Sequence, residues 1–232
     1  MCYSNESMVD SPSATSRRTL EHYESRADAF WEGTRDHDVT QNYAAFLGSL
    51  DGPPPLTLLD FGCGPGRDLD YFRSVGHRAV GLDGCAAFSR MARERTGCEV
   101  LEQDFLSLHL PEGRFDGIFA NASLFHVPSR ELLRVLGELH RALKPRGVIF
   151  ASNPRPPPRR GLPDSPDPGP DLGREGWNGD RYGCYFEMDR WRDFFIPAGF
   201  EELRHYYRPD GLPRNEQPWL AMVWLRREAA LT

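Results

Sequence analysis

The sequence of 232 residues lacks features that would point to several classes of protein. Its five cysteines include no pair with CxxC spacing and none joined to histidines at metal-ligand spacing, so we predict reduced thiols, no disulfide framework and no metal site. The formal net charge of -6 leaves no basic footprint for a nucleic-acid backbone. There is no apolar run of membrane-spanning length, and MCYSNESMVDSPSATSRR at the start contains no apolar signal segment. We therefore expect a soluble cytoplasmic protein with no nucleic-acid or membrane partner.

What is present is the composition of a globular protein, with 39% hydrophobic and 27% charged residues. Residues 1–15 are polar, and we predict a disordered tail there. Apolar residues then recur at steps of three and four, which predicts one amphipathic helix from Thr15 to about Trp31 and a second over 39–50. These helices form a predicted N-terminal cap over residues 16–55, which ends where Gly52-Pro53-Pro54-Pro55 breaks the chain.

Beyond residue 55, short apolar segments alternate with helical ones. The predicted strands are 56–62, 78–83, 98–104, 115–122 and 148–153, and the predicted helices between them are 67–75, 86–95 and 129–143. Strands and helices that alternate at this spacing indicate a parallel sheet with helices on both faces, which is an α/β fold.

The amino-acid composition changes after the fifth predicted strand. Eight prolines fall between Pro154 and Pro170 without apolar periodicity, so 154–174 is a predicted insertion, either a disordered loop or a lid. A helix over 188–198 and two paired strands, 200–208 and 218–226, complete a domain that we place at 56–232.

The first strand runs into a glycine-rich turn, Gly62-Cys63-Gly64-Pro65-Gly66, directly before a helix. Such glycines permit positive φ and let a ligand lie against bare backbone. The next two strands end in Asp83 and in Asp104-Phe105, where ligands bind in open α/β sheets. We expect the Asp83 carboxylate to accept hydrogen bonds from ribose hydroxyls and Asp104-Phe105 to hold an adenine ring. The GxGxG spacing departs from the GxGxxG of dinucleotide-binding proteins, and Asp68 in the first helical turn would repel a pyrophosphate.

Five segments in this order resemble the class I S-adenosylmethionine-dependent methyltransferases, of the small-molecule type with a ubiquinone/menaquinone-methyltransferase-like core. They are LLDFGCGPGRDL (58–69), GLDG (81–84), EQDFLSL (102–108), RFDGIFANASLFHVP (114–128) and LKPRGVIFASNP (143–154). The resemblance implies a doubly wound, seven-stranded, mostly parallel Rossmann-like sheet whose last strand is antiparallel. It also implies S-adenosylmethionine as cofactor, with its methionine part on Gly62, Gly64 and Gly66 and its sulfonium facing Asn121.

The candidate cofactor-binding residues are Tyr23, Trp31, Arg35, Gly62, Cys63, Gly64, Asp83, Gly84, Asp104, Phe105 and Asn121. Structural roles remain open for several of them. Asp83 would also serve to cap the next helix, Phe105 to pack in the core, and Cys63 to fill space under the turn. The segment from Trp31 to Asp38, with Arg35 as a partner for a carboxylate, is either part of a cap over the cofactor or a solvated turn between two helices.

Methyl transfer from a sulfonium is an in-line displacement, so the protein mainly aligns the reactants, and a base is needed only for a nucleophile that retains its proton. The candidate catalytic residues are Asn121 and His126, and His126 either acts as base or frames the pocket. The candidate substrate-binding residues are His37, Asn153, Arg155, Trp177, Tyr182, Tyr185 and Tyr207. They come from the 31–38 segment and from a C-terminal group that also contains Arg181, His205, Tyr206, Arg208 and Trp219. On the strand 200–208 the alternation of faces separates His205 and Tyr207 from Tyr206 and Arg208.

Aromatic walls favour cations whereas arginines favour anions, so an amino-acid-like, amine, thiol or carboxylate acceptor stays open. The sequence thus predicts an enzyme that methylates a small molecule. A protein methyltransferase is the first alternative, since the proline-rich stretch suits a docking segment. RNA modification is disfavoured because Asn121-Ala122-Ser123-Leu124 is not a (D/N)PP(Y/F) tetrad. A non-catalytic protein that binds S-adenosylmethionine is the second alternative, and a nicotinamide-dependent oxidoreductase is disfavoured by the glycine spacing.

Overall fold

The structure, a computed structural model, describes residues 11–156 and 173–228. Within these ranges the chain forms seven α-helices and nine strands. The helices are α1 (Pro12–Glu24), α2 (Ala27–Thr34), α3 (Thr40–Leu47), α4 (Arg67–Ser74), α5 (Ala86–Thr96), α6 (Ser129–Ala142) and α7 (Met188–Phe195). The strands are β1 (Thr57–Phe61), β2 (Arg78–Asp83), β3 (Glu99–Glu102), β4 (Phe115–Asn121), β5 (Leu143–Pro154), β6 (Gly173–Asn178), β7 (Arg181–Phe186), β8 (Phe200–Arg208) and β9 (Trp219–Arg226).

Seven of the strands form one twisted sheet in the order β3-β2-β1-β4-β5-β9-β8. The pairs β1–β2, β2–β3, β1–β4 and β4–β5 are parallel, whereas β9 runs antiparallel to both β5 and β8. The predicted doubly wound, mostly parallel sheet with an antiparallel last strand is confirmed. The strand order reverses between β1 and β4, and ligands bind at such a switch point in open α/β sheets.

The two faces of the sheet bury different helices, because successive strand residues point to opposite sides. Leu58, with Phe119 and Phe150, packs against α3 and α4 on one face. Leu59 lies in a second cluster, on the other face, with residues of α6 and α7. Burial on both faces explains why β1 reads as a nearly continuous apolar run.

The N-terminal helices differ from the prediction in two respects. Helix α1 begins at Pro12, where the Ser11 side chain accepts the Ala14 amide, so residues 12–15 of the expected disordered tail are helical. The remainder of that tail, residues 1–10, lies outside the described residues. The single helix predicted from Thr15 is broken between α1 and α2. Glu24, at the end of α1, accepts the Ala87 amide and the Cys85 thiol, which supplies the N-terminus of α5 with a cap and ties the two segments together.

The predicted proline-rich insertion falls mostly on residues 157–172, which lie outside the described residues. Pro154 ends β5, and Gly173 begins a separate two-stranded hairpin of β6 and β7. This hairpin contains Trp177, Tyr182 and Tyr185, three of the candidate substrate-binding residues. It packs on α1, where the Thr19 hydroxyl accepts the Tyr182 amide at 3.1 Å. Among the described helices, each is too short or too polar to cross a membrane.

Candidate functional site

A cavity of about 550 Å³ opens at the carboxyl edge of the parallel strands. The turns after β1, β2, β3 and β4 form its floor, and α1, α2 and the segment 37–39 form its roof. Cavities of this size hold cofactors and small ligands. The helical cap and the strand ends therefore enclose one site.

The floor begins at the glycine turn. Gly62, Gly64 and Gly66 have φ values of 83°, 51° and 97°, which L-residues rarely adopt. A Cβ on Gly62 would lie 2.4 Å from Cβ of Ser123, so the turn also needs glycine for its close approach to the end of β4. Cys63 is buried below the turn, and burial raises the pKa of its thiol well above the usual value. The backbone of the turn is thus exposed to the cavity while the thiol stays protonated.

Asp83, at the end of β2, lies beside this turn. Its two carboxylate oxygens accept the amides of Gly64 and Cys85, each at 2.9 Å. Burial raises the pKa of Asp83 to about 6, although these amides favour the ionised form. Each oxygen keeps further lone-pair capacity for donors in the cavity. Gly84 follows Asp83 and lies against Leu20 of the cap. A Cβ on Gly84 would lie 3.0 Å from Cδ2 of Leu20.

Asp104 and Phe105 form the far wall beyond β3. The Asp104 carboxylate accepts the hydroxyl of Ser16, from α1, at 2.8 Å and the amide of Leu106 at 2.9 Å. The Phe105 ring stacks on Phe61 with a centroid distance of 4.2 Å, so it packs against the end of β1 and lines the cavity at once. The sequence carried no signal for Ser16, because a serine on an exposed helix face is ordinary.

Asn121, at the end of β4, is oriented by a buried chain of hydrogen bonds. Its Oδ1 accepts Nδ2 of Asn42 at 3.0 Å, and Oδ1 of Asn42 accepts the Tyr206 hydroxyl at 2.9 Å. Asn42 is fully buried on α3. Sequence reasoning missed it, although a polar side chain on the apolar face of a helix, beside Tyr43 and Phe46, is the signal that could have found it.

His126 lies in the turn after β4, under the cap. Its Nδ1 is 2.6 Å from the Tyr182 carbonyl oxygen, and because that oxygen only accepts, we assign the ring proton to Nδ1. Burial lowers the pKa of His126 to about 4. The imidazole is therefore neutral at physiological pH.

Asp68, in the first turn of α4, is the residue that we expected to repel a pyrophosphate, and its carboxylate has two partners. Asp68 accepts Nε of Arg67 at 2.7 Å and the Tyr43 hydroxyl at 2.5 Å. Arg67 also donates to the Thr34 carbonyl at 3.0 Å, which joins α4 to the end of α2. Arg67, Asp68 and Thr34 all line the cavity near the glycine turn.

The structure brings twelve of the residues singled out from the sequence to this cavity. They are Tyr23, Trp31, His37, Gly62, Cys63, Gly64, Asp83, Gly84, Asp104, Phe105, Asn121 and His126. Three more from the wider C-terminal group, Arg181, Arg208 and Trp219, also line it. Their roles toward a ligand remain predictions.

Seven other candidates lie elsewhere, and each has a structural partner. Arg35 is exposed and pairs with Glu32 and Asp36, and Arg67 rather than Arg35 lines the cavity. Asn153 is fully buried under the turn after β4, where it accepts the Phe125 amide.

The remaining five are Arg155, directly after β5, three residues of the hairpin, and Tyr207 of β8. Arg155 pairs with Glu187 at 2.7 Å, and Tyr207 packs near that guanidinium. Tyr207 thus lies on the face of β8 opposite to Tyr206 and Arg208, which turn toward the cap. The other three form hairpin contacts: Trp177 stacks under Arg18, Tyr182 packs on Trp177, and Tyr185 packs against Phe125.

Comparisons with known proteins show what this chain is similar to in sequence and in fold. Residues 59–151 match the family model of the methyltransferase domain Methyltransf_11. The chain is 37% identical over 95 residues to a malonyl-[acyl-carrier protein] O-methyltransferase from Pectobacterium atrosepticum, covering 40% of this chain and 37% of the relative. It is 35% identical over 117 residues to a trans-aconitate 2-methyltransferase from Azoarcus sp., covering 48% and 46%. The chain thus spans less than half the length of these two relatives.

Among solved structures, a 1,6-didemethyltoxoflavin-N1-methyltransferase from Burkholderia thailandensis, with its substrate and S-adenosylhomocysteine bound, superposes with a TM-score of 0.72. The match covers 96% of this chain and 93% of that one at 21% identity, so it concerns the fold. Residues 59–151 therefore resemble a methyltransferase domain, and the chain shares its fold with a methyltransferase whose structure contains S-adenosylhomocysteine. The ubiquinone/menaquinone-type core stays a prediction.

Proposed function

We propose that this chain is an S-adenosylmethionine-dependent methyltransferase that acts on a small-molecule acceptor. The observation that carries the proposal is the meeting of the glycine turn, Asp83 and Asp104 in one capped cavity. The turn offers exposed backbone for the methionine part, and the Asp83 oxygens have lone pairs for the two ribose hydroxyls. Asp104 and Phe105 supply an acceptor and an aromatic face for adenine.

In this arrangement S-adenosylmethionine supplies an activated methyl group, and the residues of the chain bind and align the reactants. Asn121 is held with its Oδ1 engaged by Asn42, so its Nδ2 is left to contact ligands at the end of β4. Tyr23, Phe30 and Trp31 of the cap cover the turn and exclude water. Alignment in a closed site is the main contribution that a protein makes to an in-line displacement.

A small-molecule acceptor is supported by the enclosure of the site. The cap lies over the carboxyl edge of the sheet and leaves a cavity of about 550 Å³, which suits a cofactor with a small second ligand better than a folded protein surface. One relative of this chain is named for trans-aconitate, which is a small molecule.

Calorimetric titration with S-adenosylhomocysteine tests the proposal directly. We expect stoichiometric binding that falls at least thirtyfold in Asp83→Ala, since two hydrogen bonds to a charged group are lost, each contributing about 1.5 kcal/mol or more. Asp36→Ala, an exposed acid outside the cavity, is the matched control and should bind like the parent. The absence of any heat with folded parent protein would exclude the proposed function. With methyl-labelled cofactor and a cell extract, label should appear in the low-molecular-mass fraction, and label confined to protein would contradict a small-molecule acceptor.

A further inference from the structure

Two arginines of the cavity wall are half-buried and have no carboxylate partner among the described residues. They are Arg181, the first residue of β7, and Arg208, the last residue of β8. Elsewhere near the site the arginines are paired, for example Arg67 with Asp68 and Arg155 with Glu187. Arg208 makes one neutral contact, a hydrogen bond of 2.9 Å to the Asp38 carbonyl.

Arg208 lies away from the residues that would hold ribose and adenine. Arg208 is in register with Trp219 of β9, which pairs in turn with Pro154 at the carboxyl end of β5. The sheet order places β5, β9 and β8 on the side of β4 opposite to β2 and β3. Arg181 lies near Tyr23 and His126, above the turn that follows β4, since a hydrogen bond and the charge of Arg181 act to lower the pKa of Tyr23 and its charge acts to lower that of His126.

Among the described residues, no acid of the cavity forms an ion pair with these two arginines, although the charge of Arg208 helps to lower the pKa of Asp38. Asp83 is engaged by backbone amides and Asp104 by Ser16 and Leu106. Asp68 is engaged by Arg67. The remaining acid, Asp38, is exposed and its carboxylate accepts the Thr40 amide at 2.9 Å. Each guanidinium group therefore lines the cavity and retains N–H donors that can bind a ligand.

An arginine stays charged at every relevant pH, and a partly buried charge without a partner is costly. An oxyanion brought by a ligand removes that cost with charge-assisted hydrogen bonds, which guanidinium groups form with carboxylates and phosphates. We propose that Arg181 and Arg208 bind an anionic group of the methyl acceptor, a carboxylate or a phosphate-type group, on the β4–β8 side of the cofactor. This proposal rests on the proposed function, because it assigns the acceptor class to the same site.

The test uses the full chain saturated with S-adenosylhomocysteine and probes that differ only in charge. Succinate, monomethyl succinate and dimethyl succinate share one carbon skeleton and carry two, one and no negative charges. Calorimetry should give affinities that fall in that order, and inorganic phosphate, which any oxyanion subsite accommodates, should bind as well. Equal affinities for the three compounds, or tighter binding of 1,4-diaminobutane than of succinate, would overturn the proposal.

Variants connect the probes to the two residues. Arg181→Gln and Arg208→Gln should each weaken succinate binding roughly tenfold or more, since a hydrogen bond to a charged group is lost. Arg35 is an exposed arginine that does not line the cavity, so Arg35→Gln is the matched control and should leave succinate binding unchanged. S-adenosylhomocysteine binding in each variant checks folding and separates the outcomes. If the parent does not bind S-adenosylhomocysteine, the proposed function fails. If only Arg181→Gln loses it, Arg181 holds the cofactor carboxylate and the inference is wrong for that residue.

Discussion

The hydroxyl of Tyr23 and Nε2 of His126 lie 2.9 Å apart, and their rings meet edge to face. Since the Nδ1 proton of His126 is donated to the Tyr182 carbonyl, Nε2 carries the lone pair and accepts the Tyr23 proton. The only basic nitrogen of the imidazole is thus occupied by the cap. A neutral imidazole whose conjugate acid has a pKa of about 4 is also a weak proton acceptor at neutral pH. His126 therefore suits the positioning of Tyr23 better than the role of general base.

The first prediction concerns this pair. His126→Gln, whose amide can accept from Tyr23, should retain at least a third of the parent kcat. Tyr23→Phe removes the hydroxyl from the cavity and should lower kcat or raise the cofactor Kd by about tenfold, the scale of one hydrogen bond between partly buried groups. Rates of methyl transfer and S-adenosylhomocysteine titrations on the two variants provide the measurement. A loss of more than a thousandfold in His126→Gln, together with a rate inflection near the ordinary histidine pKa in the parent, would restore His126 as the base.

The second prediction follows from the lowered pKa of the same histidine. Unfolding exposes an imidazole that titrates near 6.5, whereas the buried one stays neutral down to about pH 4. Between these values the unfolded chain binds more protons, so the contribution of His126 to stability is complete above pH 6.5 and is lost as the pH falls toward 4. At pH 5 the loss is about 2 kcal/mol.

Urea unfolding at pH 7.5 and pH 5.0 measures this effect. The free energy of unfolding of the parent should fall by about 2 kcal/mol more than that of His126→Gln, which has no titrating group there. The other histidines are present in both proteins and cancel in the comparison. Identical pH dependence in the two proteins would mean that His126 is accessible to protons in the folded state.

Local sequence patterns predicted the sheet, its order of helices and strands and the glycine turn, because backbone conformation and burial on both faces leave a periodic trace. The same patterns gave no sign that Arg67, which was not among the candidates, would line the cavity in place of Arg35. Both lie near helix ends, and the choice depends on Arg67 finding Asp68 and the Thr34 carbonyl. Such contacts arise only when distant segments meet.

Strand β8 illustrates the same limit. Alternation correctly separated Tyr206 from Tyr207, but it contained no information on which face meets α3. Hydrogen bonding of Tyr206 to Asn42, more than 160 positions away, decides that face and turns Tyr207 away from the cavity. Trp177, Tyr182 and Tyr185 were predicted to bind substrate, but they lie outside the cavity lining. A mixture of glycine and aromatic residues is compatible with a tight hairpin as well as with the wall of a pocket.

The third prediction concerns Asp83. With a pKa of about 6, raised by burial, this carboxyl is ionised at pH 8 and protonated at pH 5. The protonated form accepts fewer hydrogen bonds from ribose hydroxyls, so the affinity for S-adenosylhomocysteine should fall roughly tenfold between pH 8 and pH 5. Asp83→Asn should bind more weakly at pH 8 and show no such decline. Calorimetry at four pH values distinguishes the two, and an equal decline in both proteins would assign the titration to another group.

The fourth prediction contrasts two glycines of opposite character. Gly62 has a φ of 83°, and an added Cβ would meet Cβ of Ser123 at 2.4 Å and Cζ of Phe105 at 3.2 Å. Gly33 lies exposed in α2, where a Cβ has no neighbour within 4 Å. An L-residue in the left-handed region costs roughly 1–2 kcal/mol before any steric conflict, whereas alanine in a helix is favoured over glycine by up to about 1 kcal/mol.

Gly62→Ala should therefore lower the free energy of unfolding by more than about 2 kcal/mol and weaken S-adenosylhomocysteine binding at least tenfold, because the turn must move away from the end of β4. Gly33→Ala should be neutral or stabilising and bind like the parent. Urea unfolding and calorimetry on the two variants give both quantities. Parent-like behaviour of Gly62→Ala in both measurements would mean that the turn between Phe61 and Arg67 adopts a different conformation from the one described, and the placement of the methionine part on its backbone would fail with it.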